Sequence, residues 1–143
     1  MKANPILAAM CILLLSASAA HAQEGEAMQA PELDVAEIVI TSQVTDRMPV
    51  DSMMQVGGHE GTVYCWTRIV GAEGETYVEH VWYRTDQEMA RVQLNVAGPN
   101  WRTWSSKRIE PAWAGDWRVD VVGPDGTVLE SISFAVVEGS PSG

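Results

Sequence analysis

Asp116-Trp117-Arg118-Val119-Asp120-Val121-Val122-Gly123-Pro124-Asp125-Gly126-Thr127-Val128-Leu129 is the stretch whose reading decides the fold. Apolar and charged residues alternate through its first half, as they do where successive side chains of a strand point to opposite faces. Trp117, Val119 and Val121 share the inward face, and Asp116, Arg118 and Asp120 the outward one. Gly123-Pro124-Asp125-Gly126 breaks the pattern with turn chemistry. Proline presets the first central dihedral and Gly126 tolerates positive φ. Strands 116–122 and 127–137 are therefore expected to form a hairpin.

Outward from this hairpin the same grammar recurs. Short β-branched and aromatic runs lie near 35–44, 51–56, 62–69, 76–84, 89–96 and 101–109, separated by turns such as Gly57-Gly58 and Gly71-Ala72-Glu73-Gly74. In 89–96, Ala90, Val92, Leu94 and Val96 alternate with Arg91, Gln93 and Asn95. In 62–69, Val63, Cys65 and Ile69 oppose Tyr64, Trp66 and Arg68. Helical periodicity is almost absent. The expectation is an all-β chain, an antiparallel immunoglobulin-like β-sandwich of about 7–8 strands over residues 34–137.

The ends read differently. Lys2, an apolar run from Ile6 to Leu15 and the small-residue end Ala20-His21-Ala22 have the form of a secretory signal peptide, residues 1–22. The run is shorter than the ~20 residues that span a bilayer, so no membrane span is expected after its removal, and the expected location is periplasmic or secreted. Residues 23–33 read as a flexible acidic lead-in and 138–143 as a disordered tail.

The chain has 9 Lys+Arg against 19 Asp+Glu, net −10. Losing Lys2 with the leader shifts this to −11. Such acidity argues against nucleic acid and anionic lipid as partners, because phosphates need basic neutralisation. The bases are nonetheless clustered: Arg84, Arg91, Arg102, Lys107, Arg108 and Arg118 lie within 84–118. Cys65 is the single cysteine left after Cys11 departs, so no intrachain disulfide forms. Its apolar setting is that of a buried, inert thiol.

Segment 101–109 does not sort by alternation. Trp101, Thr103, Ser105, Lys107 and Ile109 make one face, and Arg102, Trp104, Ser106 and Arg108 the other. Either orientation leaves a tryptophan outside or at an edge. Together with His80-Val81-Trp82-Tyr83-Arg84, Gly115-Asp116-Trp117-Arg118-Val119, Asp125-Gly126-Thr127-Val128-Leu129 and Phe134, the Trp101–Lys107 motif resembles the bacterial family known as domain of unknown function 2914, over about residues 62–137. The resemblance implies a small β domain in exported or membrane-attached bacterial proteins. It implies no activity.

Two function classes stay open. The first is a non-catalytic binding module for a carbohydrate, cell-wall fragment or protein. Its expected ligand-binding residues are His80, Trp82 and Arg84 on one strand and Arg102, Trp104, Ser106 and Lys107 on another. Tryptophan offers large apolar area with one donor, and arginine a planar fork for carboxylates. Trp117 is assigned to the core, and Trp101 and Trp104 to exposed positions. The second class is a small exported hydrolase using Ser105 or Ser106 with His80, oriented by Asp116 or Asp120. No Gly-x-Ser-x-Gly elbow accompanies it, and a structural histidine is favoured. No metal or cofactor is expected. His59-Glu60 is read as a solvated turn, and His59, His80 and Cys65 fall short of a zinc ligand set.

Overall fold

Strands form wherever the sequence alternates apolar with polar side chains, and glycine-containing turns end several of them. The structure, a computed structural model, describes residues 32–58 and 61–138. The expected signal peptide, all but the last two residues of the lead-in, the tail beyond Glu138 and the His59–Glu60 turn lie outside the described residues. In chain order the strands are β1 (Asp34–Thr41), β2 (Val44–Thr45), β3 (Met48–Pro49), β4 (Gln55–Gly57), β5 (Thr62–Val70), β6 (Thr76–Arg84), β7 (Gln87–Val96), β8 (Asn100–Arg108), β9 (Gly115–Val122) and β10 (Val128–Val137). A single 3-10 turn, Pro111–Trp113, joins β8 to β9.

Two sheets carry the core. One has the order β1-β5-β8, the other β4-β10-β9-β6-β7. The chain changes sheet between β1 and β4 and again at β4–β5, β5–β6, β7–β8 and β8–β9, the Greek-key connectivity of an immunoglobulin-like sandwich. Ile40, Val63 and Cys65 from the first sheet pack with Trp82, Trp117, Val119, Phe134 and Val136 from the second. A second cluster joins Val35 and Ile69 to Val78, Val96 and Val121. These residues are nearly all fully buried, each side chain contributing roughly 1.5–3 kcal/mol of transfer free energy. Burial raises the Cys65 thiol well above its ordinary range; the thiol is free and buried.

The expected hairpin is present. β9 and β10 pair antiparallel, and Gly123 accepts from Gly126 N–H at 3.0 Å. Gly126 stands at φ +87, a region that costs L-residues roughly 1–2 kcal/mol. A register shift between Val128 and Glu130 leaves Leu129 as a bulge that packs against the core. A similar bulge at Met89 places it beside Ala90 on the inner face.

The N-terminal region departs from expectation. Strand 35–44 stops at Thr41, and 51–56 shrinks to Gln55–Gly57. β4 runs parallel to β10, so the sandwich is not antiparallel throughout. The chain leaves the edge of one sheet and joins the edge of the other without reversing onto a neighbour. Between them, β2 and β3 form a small hairpin not expected from sequence. Its turn residues, Asp46 and Arg47, have φ +53 and +65, the geometry of a two-residue hairpin turn in which glycine or asparagine is usual. Asp51 closes the excursion by accepting from Thr41 Oγ1 at 2.7 Å and Ser42 N–H at 2.8 Å.

Candidate functional site

β8 lies at the edge of the three-stranded sheet and pairs with β5 in unbroken register from Val70↔Asn100 to Thr62↔Arg108. Directly opposed residues share a face. Thr103 and Ser105 are buried on the inner side, whereas Arg102 and Trp104 are half-buried and Ser106 and Arg108 exposed on the outer side. The strand that alternation could not sort thus has polar residues on both faces, and each set has its own use.

On the inner face the polar groups are consumed internally. His80, on β6 of the opposite sheet, is 0% exposed. Its Nδ1 lies 2.7 Å from Ser105 Oγ and its Nε2 3.2 Å from Thr67 Oγ1. Thr67 Oγ1 donates to the Thr103 carbonyl at 2.9 Å, and Trp82 Nε1 donates to Ser105 Oγ at 3.1 Å. One proton arrangement satisfies every group. Trp82 N–H donates to Ser105, Ser105 O–H to His80 Nδ1, His80 Nε2–H to Thr67, and Thr67 O–H to the carbonyl. Burial pushes the His80 pKa down to about 3, so the ring is neutral, as this chain of bonds requires. Among the described residues, no buried side-chain polar atom lacks a partner.

This placement corrects the expected patch. His80 and Trp82 are core residues, because the inner face of β6 meets the other sheet and not solvent. Arg84, at the end of the same face, donates from Nε and Nη2 to the Ala114 carbonyl at 3.3 and 3.0 Å. Lys107 lies 4.9 Å from the centroid of Trp113, at one end of the aromatic run Trp113, Trp117, Phe134, Trp82. Trp117 is in the core as expected. The serine–histidine contact of the hydrolase alternative exists at Ser105, not at Ser106, but both of its groups are sealed between the sheets. A nucleophile there has no route to substrate. Among the described residues, no cluster of His, Cys, Asp or Glu could hold a metal ion.

The outer face brings together Arg102, Trp104 and Ser106. Sequence reasoning missed two partners there. Trp66 stands opposite Trp104 across the β5–β8 pair yet is 1% exposed, its Nε1 donating to the Arg47 carbonyl at 2.9 Å. Arg47 then reaches the open edge of β8. Its guanidinium carbon is 5.6 Å from the Trp101 centroid and 5.8 Å from that of Trp104, and Nη2 donates to the Arg102 carbonyl at 3.2 Å. A residue 55 positions away in the chain leaves no local signal of such a contact.

Charge pairing divides the cations into two sets. Arg68, Arg91 and Arg118 each sit on a carboxylate, of Glu37, of Glu79 and Glu88, and of Asp120. Among the described residues, Arg47, Arg84, Arg102, Lys107 and Arg108 have none within salt-bridge distance. Elsewhere, a depression of about 350 Å³ is lined by Thr85, Asp116, Trp117, Arg118, Ser133 and Phe134. Its two aromatic rings are buried and its arginine is already paired, so it presents little to a ligand. Among the described residues, no helix is long and apolar enough to cross a membrane.

Residues 75–136 match the family described as protein of unknown function (DUF2914). No curated protein matches the chain. Among solved structures, the crystal structure of a CARDB domain from Pyrococcus furiosus in complex with di-metal ions is similar at 15% identity and a TM-score of 0.48, over 78% of this chain and 97% of that one. A solution NMR structure of a CARDB domain from the same organism is similar at 14% identity and a TM-score of 0.47, over 77% of this chain and 98% of that one. The family match begins at Glu75, leaving β5 outside the span that the motifs had suggested from residue 62. From β6 to β10, with the His80-Val81-Trp82 and Gly115-Asp116-Trp117 motifs inside it, the chain is similar to the DUF2914 family, as those motifs suggested.

Proposed function

We propose that this chain is an exported, non-catalytic binding module whose ligand docks on the outer side of β8. One observation carries the reading: Arg102, Trp104, Ser106 and Arg108 share the solvent side of an edge strand, and the cations among them have no carboxylate partner among the described residues. In a chain with 19 acidic residues, internal partners are plentiful, so cations left unpaired beside a tryptophan favour an external counter-charge. A glycan or peptide array with the wild type against the double variant Trp104→Ala/Arg102→Ala tests the site. Loss of signal in the variant is expected, and equal signal from both proteins removes the site.

Export rests on the leader pattern of residues 1–22. Cell fractionation with N-terminal sequencing should find a periplasmic or secreted form beginning at Gln23; an uncleaved cytoplasmic chain would end that reading. The Ser105–His80 contact is the observation that favours hydrolysis. Its test is labelling with a fluorophosphonate serine probe, where modification of Ser105 in the folded protein would revive the enzyme reading.

A further inference from the structure

We propose that the occupant of the β8 face is an extended peptide with carboxylates near both ends, added as a further strand along the open edge. This rests on the binding-face reading above and names the chemistry of the partner. The Thr103 carbonyl accepts from Thr67 of β5, and successive carbonyls of a strand point to opposite sides. The carbonyls of Arg102, Trp104 and Ser106 therefore point away from β5, toward the open edge. That of Arg102 is taken by Arg47, so the free stretch runs from Trp104 to Arg108, with the Arg47 guanidinium marking its end. An edge of this kind accepts a partner strand through main-chain hydrogen bonds, and side chains of alternate residues set the specificity.

The charges then select the sequence of that strand. A partner residue opposite Arg108 points its side chain to the same outer face, and one just past Trp104 lies beyond the main-chain pairing with its side chain beside Arg102 and the Arg47 guanidinium. The two arginines are six residues apart, roughly 20 Å of strand, with Trp104 and Ser106 between them. The matching peptide has acidic residues at its first and seventh positions and an apolar one opposite Trp104. A second copy of β8 is disfavoured, since it would set cations against cations.

The probe is the peptide Glu-Thr-Val-Thr-Val-Thr-Glu, which sets a valine opposite Trp104 in either strand direction, titrated into the full chain by calorimetry and followed by amide NMR shifts. Binding is expected, with shifts at Trp104 and Ser106 and loss of affinity of at least about tenfold in Arg102→Glu/Arg108→Glu, a variant whose thermal melt verifies folding. The same peptide methylated on alternate backbone nitrogens, used on the wild type, separates strand addition from charge attraction alone. Equal binding of the methylated peptide overturns the proposal. Binding of a polyuronate and not of the peptide, still abolished by Arg102→Glu/Arg108→Glu, also overturns it but leaves the binding face intact. Failure of both ligands would take down the binding-face reading as well.

Discussion

The two faces of β8 make opposite use of polar residues. On the inner face, Thr103 and Ser105 belong to a hydrogen-bonded chain through Thr67, His80 and Trp82 that links the two sheets. On the outer face, Arg102 and Arg108 have no carboxylate partner among the described residues, and Trp104 is covered by a single arginine from a distant turn. A buried polar group must be satisfied internally because leaving it unpaired costs about 1–3 kcal/mol. A solvated one can remain available. The same strand therefore holds the sandwich together from one side and turns polar side chains toward solvent on the other, and substitutions on the two sides should have different consequences.

The largest expected effect is acid sensitivity set by the inner face. In the unfolded chain His80 titrates near 6.5, whereas in the native state burial holds it near 3. Between these values the unfolded state binds a proton that the native state does not. Stability is thus full above pH 6.5 and falls as pH drops toward 3, by on the order of 4 kcal/mol. Denaturant unfolding at several pH values should show this loss in the wild type and a much flatter profile in His80→Phe. Equal slopes would mean that the ring is not sealed in the core.

Next, Ser105→Ala removes the donor to His80 Nδ1 and the acceptor for Trp82 Nε1 together, and should cost about 2–3 kcal/mol at pH 7 by chemical denaturation. Ser106→Ala, one residue away on the other face, should change stability by less than about 0.5 kcal/mol. This adjacent pair is the sharpest test of the contrast between faces; similar losses in both would abolish it.

Arg47 tests the outer side. Arg47→Ala keeps a left-handed backbone that costs roughly 1–2 kcal/mol and loses the contacts with Trp101 and Trp104, each worth about 0.5–1 kcal/mol. Arg47→Gly loses the same contacts but relieves the backbone. Thermal melts should rank the wild type and the glycine variant close together, with the alanine variant about 1 kcal/mol lower. The smallest effect concerns Asp51, whose carboxyl is held below its ordinary range by the Ser42 and Thr41 hydroxyls. Its contribution is present above the unfolded carboxylate range and lost as pH falls through the lowered native value. An Asp51→Asn variant should therefore be slightly less stable than wild type at neutral pH and converge with it in acid.

Much of the architecture was legible because alternation is a local property. The residue sets assigned to the two faces of 62–69, 89–96 and 116–122 are the ones observed, and the Gly123–Gly126 turn forms where its chemistry required. The candidate site was legible only in part. Arg102, Trp104 and Ser106 share the outward face, whereas His80, Trp82 and Arg84 do not join them. His80 alternates in phase with Val78 and Trp82, so its face was readable. What that face meets was not, because the opposing Ser105 and Thr67 come from another sheet.

The sequence by itself determined the class of fold, the turns and the split of each long strand into two faces, since period-2 patterning and glycine or proline dihedral preferences act within a few residues. Only the tertiary structure decided which of those faces meets water. It buried Trp66 under a hairpin whose turn lacks the usual glycine, and it laid Arg47 on Trp104 across 57 positions of chain. It also paired Arg68, Arg91 and Arg118 with carboxylates while leaving the cations of β8 without such partners among the described residues. Contacts between distant segments depend on how the sheets stack, and stacking is settled by the whole core at once.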